Sequence, residues 1–150
     1  MDIKLNDDGT IELGNFSALQ SFKIACHLEK EGLAHYERAM ETAEKDEVKE
    51  LMALLKDEEA IHLAFFEGRI EALDEEDGFE GDDIATIVSS QLFDKALPSD
   101  PLLHGMAMEE RSIEFYNALM KNTTDEEGKA ALKQIIKEEV IHLQRLKVFI

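Results

Sequence analysis

Cysteine is almost absent: Cys26 is the only one in 150 residues. One cysteine excludes an intrachain disulfide framework and a zinc or iron–sulfur site built on cysteines. Basic residues are scarce, with 16 Lys plus Arg against 34 Asp plus Glu and a formal net charge of -18. Phosphate binding needs clustered Lys and Arg, so no nucleic acid and no anionic membrane surface is expected as a partner. No run of about 18 apolar residues occurs, so no bilayer-spanning helix is expected. Residues 1–14 lack the basic start and continuous apolar stretch of a secretory signal, and a cytoplasmic location is expected. What is present is 44% apolar and 33% charged sequence, enough for one domain with a core. The acid excess then needs a reason: solvated surface, or cation binding.

One domain is expected over 1–150. Ile3-Lys4-Leu5 and Thr10-Ile11-Glu12-Leu13 alternate around Asn6-Asp7-Asp8-Gly9, which reads as a hairpin or extended arm over 1–15. From about Ser17 the apolar spacing turns helical. A first helical hairpin is expected over 17–73, broken near Thr42 to Asp46. Residues 74–98 form a long crossover, with room for a short helix from Ile84 to Leu97. A second helical hairpin covers 99–150. Ser99-Asp100-Pro101 opens its first helix, and Thr124-Asp125-Glu126-Glu127 reads as the capping box of its second, which continues essentially to Ile150. Short turns give antiparallel neighbours, and the long crossover lets the second and third helices run parallel. The fold class is an all-α four-helix bundle.

The two halves repeat at a fixed shift of 80 positions, as from 29 to 109. Glu29 falls on Glu109, Tyr36 on Tyr116 and Met40 on Met120. Glu58-Glu59 fall on Glu138-Glu139, and Ile61-His62-Leu63 on Ile141-His142-Leu143. At 100° per residue, Phe22, Ala25, Leu33, Tyr36 and Met40 lie within about 40° of Glu29. Glu109 lies likewise among Leu102, Gly105, Ile113, Tyr116 and Met120. Glu59 shares a face with Met52, Leu55, Leu63, Phe66 and Ile70. Glu139 does so with Leu132, Ile135, Leu143, Leu146 and Ile150. His62 and His142 follow their glutamates by one helical turn.

Four carboxylates and two imidazoles thus point into one small bundle. Buried carboxylates cost several kcal/mol each unless compensated. Two divalent cations balance four glutamates, and an oxygen-rich set with imidazole suits iron or manganese. One Glu from each of two helices plus Glu-x-x-His from each of the other two is the donor set of di-iron and di-manganese bundles. The other sites receive plainer readings. Cys26 and Met40, Met52, Met106 and Met120 read as core. His27, His35 and His104 read as peripheral. Glu31, Glu58, Glu110 and Glu138 read as solvated acids. Tyr36 and Tyr116 are candidate catalytic residues, as hydrogen-bond donors to the carboxylates or redox-active groups, or else ordinary buried tyrosines.

On Leu28-Glu29-Lys30-Glu31-Gly32 with Tyr36, Glu58-Glu59-Ala60-Ile61-His62, Glu109 with Phe115-Tyr116, and Glu138-Glu139-Val140-Ile141-His142, the chain resembles the ferritin-like superfamily, most closely the rubrerythrin-related proteins. The resemblance implies two iron ions, with manganese as the alternative. Glu29 and His62 would serve one metal and Glu109 and His142 the other, with Glu59 and Glu139 bridging. It also implies reduction of peroxide or dioxygen, or else iron binding, storage or ferroxidase activity without turnover. A homodimer is expected. Two departures stand out. No paired Cys-x-x-Cys motifs of a rubredoxin domain are present, so the electron donor is expected to be external. Ser112 stands where a typical rubrerythrin has a further glutamate.

Overall fold

The computed structural model describes residues 3–8, 11–13, 17–73 and 99–150. The expected crossover over 74–98, with the short helix expected from Ile84 to Leu97, lies outside the described residues. Among those described are two strands, β1 (Ile3–Leu5) and β2 (Ile11–Leu13), and four long helices. The helices are α1 (Ala18–Thr42), α2 (Asp46–Leu73), α3 (Pro101–Lys121) and α4 (Glu126–Lys147). The strands pair antiparallel, with Ile3 opposite Leu13, and β2 lies against α3.

Local chemistry sets the helix ends. The Ser17 hydroxyl accepts from the Gln20 backbone N–H, and the Gln20 side chain accepts from the Ser17 N–H, closing a capping box. Asp100 accepts from the Leu102 and Leu103 N–H groups, and Pro101 sits where no backbone donor is needed. The fourth helix starts one residue later than the sequence suggests. Asp125, not Thr124, is its N-cap, accepting from Gly128 N–H at 3.2 Å. The Thr124 box would have required Glu127 to bond back, whereas Asp125 is already held by Arg69 Nη2 at 2.9 Å. The helix also stops at Lys147, and Ile150 is 66% exposed rather than part of the apolar stripe.

Helix directions follow from two contacts. Arg69, near the end of α2, meets Asp125 at the start of α4. His35, in the second half of α1, meets Pro101 at the start of α3. Hence α1 is antiparallel to α3, and α2 to α4. The short turns make α1–α2 and α3–α4 antiparallel too, so α2 and α3 run parallel. This is the ferritin-like arrangement of an all-α four-helix bundle.

The core falls into two clusters along the bundle axis. One holds Phe22, Leu28, Phe66, Phe115, Tyr116, Leu119 and Leu132, and the other holds Tyr36, Ala39, Leu51, Met52, Leu55 and Leu146. Burying each large apolar side chain contributes roughly 1.5–3 kcal/mol, so these clusters secure the bundle at both ends. Between them lies a polar layer. Met40, Met106 and Met120 are half-buried and pack on the clusters, and Cys26 is buried without a disulfide. No helix among the described residues is long and apolar enough to cross a membrane.

Candidate metal centre

The polar layer contains Glu29, Glu59, His62, Glu109, Glu139 and His142, all buried, none above 4% exposed. One helix supplies each part: Glu29 from α1, Glu59 and His62 from α2, Glu109 from α3, Glu139 and His142 from α4. The apolar residues three and four positions away turn each helix so that these groups face inward. Two overlapping sets result. Glu29, Glu59, His62 and Glu139 offer donor atoms all within 4.8 Å of one another, and so do Glu59, Glu109, Glu139 and His142. Glu59 and Glu139 belong to both.

Each of the six has one buried polar atom without a hydrogen-bond partner. These are Glu29 Oε2, Glu59 Oε1, Glu109 Oε2, Glu139 Oε1, His62 Nδ1 and His142 Nδ1. Among the described residues the only other such atom is Arg69 Nε. His62 Nδ1 comes within 2.7 Å of Glu139 Oε1, and His142 Nδ1 within 3.4 Å of Glu59 Oε1, but neither contact is aligned as a hydrogen bond. Buried polar atoms are nearly always satisfied, so six orphans converging on one spot fit the donor set of a cation pair. Oxygen donors with two imidazoles suit iron or manganese.

The other oxygens of Glu29 and Glu109 are held from outside the cluster. Tyr36 O–H donates to Glu109 Oε1 at 2.6 Å, and Tyr116 O–H donates to Glu29 Oε1 at 2.5 Å. Each tyrosine thus crosses between α1 and α3 and leaves the other carboxylate oxygen facing inward. Burial, then the neighbouring carboxylates, raises both tyrosine pKa values well above 10, which keeps the hydroxyls as donors.

Two residues read from the sequence as solvated are half-exposed and also reach the histidines of the layer. Glu58 Oε2 contacts His142 Nε2, and Glu138 Oε2 lies 3.3 Å from His62 Nε2. Both cross the seam between α2 and α4. A wheel drawn on one helix puts them off the apolar stripe. Only the packing of the facing helix brings a histidine edge within their reach. Arg145 lies 3.8 Å from Glu58. His35 is likewise buried rather than peripheral. Its Nε2–H donates to Pro101 O at 3.0 Å, and its ring stacks on His104 at 4.2 Å. Burial lowers its pKa to about 4, aided by His104 and Arg38 and opposed by the Pro101 bond.

Without metal, protons compensate the acids. Burial alone would lower the His62 pKa, but Glu139 and Glu29 override it and raise the value to about 10. His142 is raised in the same way, against burial, by Glu139 and then Glu58. Burial followed by the Glu139 and Glu29 carboxylates lifts Glu59 well above the carboxylate range. Burial would raise Glu139 too, but the His142 and His62 rings hold it below that range. Of these two, Glu59 is therefore biased toward its protonated form and Glu139 toward its ionised form.

Gly32 matters to this layer. A Cβ there would lie 3.1 Å from Glu59 Oε2. Gly32→Ala gains up to about 1 kcal/mol of helix propensity while displacing the Glu59 carboxylate. Thermal unfolding of the metal-free variant is expected to stay near the parent. Metal affinity, measured by equilibrium dialysis, is expected to fall about tenfold, as for other changes that misplace a ligand.

The rubrerythrin family model matches residues 22–150, which include all six inward residues and both tyrosines. No curated protein and no solved structure matches the chain.

Proposed function

This chain belongs to the rubrerythrin family, and from that premise we propose that its buried cluster holds two iron ions and reduces peroxide or dioxygen. The observation that carries the reading is the convergence of six orphaned donor atoms, one from each of Glu29, Glu59, His62, Glu109, Glu139 and His142. Glu29 and His62 would hold one metal, Glu109 and His142 the other, and Glu59 and Glu139 would bridge. Four carboxylates balance two divalent ions, with neutral imidazoles. Manganese satisfies the same donors.

Held there in the ferrous state, the two ions would supply two electrons, one from each, enough with two protons to reduce hydrogen peroxide to two waters. The chain's own residues prepare that step. Tyr36 and Tyr116 fix the outer glutamates, and the apolar clusters on either side keep bulk water from the layer. The proposed electron donor is a separate protein or small reductant.

One observation favours ferroxidase activity or iron binding without turnover. Among the described residues the two donor sets hold six residues and no further carboxylate, and Ser112 is 9% exposed where rubrerythrins carry an additional glutamate. Peroxide titration separates the two readings. Iron(II)-loaded protein is mixed anaerobically with hydrogen peroxide and a reductant, and peroxide consumption is followed. Repeated cycles support the peroxidase. A single cycle, with iron left oxidised, supports the ferroxidase reading.

A further inference from the structure

Both ligand histidines are gripped at the nitrogen that faces away from the cluster. The His62 ring on α2 meets Glu138 on α4, and the His142 ring on α4 meets Glu58 on α2. The two contacts are related by the same 80-residue shift that relates the halves of the sequence, as 58 is to 138. The rings lie nearly parallel, 21° apart, with centroids separated by 5.9 Å. Both carboxylates sit at the solvent edge, Glu58 28% and Glu138 38% exposed, whereas both rings are buried.

An ionised carboxylate only accepts hydrogen bonds. The ring proton facing Glu58 or Glu138 therefore resides on Nε2, and that N–H donates outward. A neutral imidazole has one lone pair, which then lies on Nδ1. Nδ1 is the orphaned atom of both rings, aimed into the cluster. Each carboxylate fixes tautomer and ring angle together and leaves the donor pair pointing at the metal position.

We propose that Glu58 and Glu138 are positioning residues, each presenting the opposite helix's histidine to its metal across the α2–α4 seam. The assignment rests on the two-metal reading. It also makes the seam reciprocal: each Glu-Glu-x-x-His run supplies one inward glutamate, one histidine and the outer clamp for its counterpart.

Anaerobic titration with Co(II) alone, followed by its visible absorption, tests this in the full chain. The parent is expected to bind two Co(II) and to show two solvent-exchangeable, paramagnetically shifted ring N–H proton signals. Glu58→Ala is expected to weaken one binding step by 10–100-fold and to speed solvent exchange of one of these signals, with Glu138→Ala acting on the other. Glu58→Gln and Glu138→Gln keep an acceptor oxygen. They should retain slow-exchanging signals while still weakening their step, which keeps the test open if an alanine variant fails to fold. Parental affinities and unchanged N–H exchange in variants whose parent binds two Co(II) overturn the positioning role alone. A parent that binds no Co(II) overturns the two-metal reading and the positioning role together.

Discussion

Glu139→Gln and Glu59→Gln are both expected to abolish paired metal binding, yet only Glu139→Gln is expected to destabilise the metal-free protein. Both residues belong to the two overlapping donor sets, so neutralising either removes a charge that both metal positions share. Without metal their roles diverge. Glu139 is ionised and answers two buried imidazolium groups, with His62 Nδ1 only 2.7 Å away. Removing one partner of a buried ion pair costs about 3–5 kcal/mol, because the other charge stays buried. For a chain of this size the melting temperature should fall on the order of 10 °C. Glu59 already carries a proton, and glutamine reproduces the shape and polarity of a neutral carboxyl. Its variant should stay within about 1 kcal/mol of the parent, the scale of one ordinary hydrogen bond. Thermal melts in chelator decide the matter, since equal losses in the two variants would contradict the charge assignment.

The second large effect is that of pH. Metal binding must displace the protons held on His62, His142 and Glu59. The binding constant for the pair should therefore rise with pH, roughly tenfold per unit for each proton displaced. The metal-free fold responds in the opposite sense. The folded-state pKa of His62, about 10, exceeds its ordinary value of 6.5. The stabilisation from its charged form is complete below pH 6.5 and is lost as pH climbs toward 10. Between these limits alkalinisation weakens the empty bundle and strengthens metal uptake. Proton release during anaerobic metal addition in dilute buffer measures the first effect, and chelator melts across the same range measure the second. Metal affinity that is flat with pH would mean that neither the histidines nor Glu59 holds a proton before metal arrives.

The six inward residues were legible because they obey two rules at once, helical spacing on an apolar face and one common shift. Either rule alone would admit many surface glutamates. What the sequence hid depends on how helices meet. Glu58 and Glu138 lie off their own stripes, and their partners sit on another helix, so no count along one chain segment finds them. The tyrosine contacts are similar. The spacing put Tyr36 on the face of Glu29, but its hydroxyl reaches Glu109 on α3, the mirror of Tyr116 reaching Glu29. The sequence did carry a trace of the outer clamps, since Glu58 and Glu138 repeat at the same shift as the inward residues. Asp125 displaced Thr124 as a cap through Arg69, a contact 56 residues distant in sequence.

The most direct test of the central claim is anomalous scattering at the iron edge from crystals of the iron-loaded protein. Two peaks inside the bundle are expected. One should touch Glu29 and His62, the other Glu109 and His142, and both should touch Glu59 and Glu139. Iron confined to exposed acids, with no peak among these six side chains, would contradict the account.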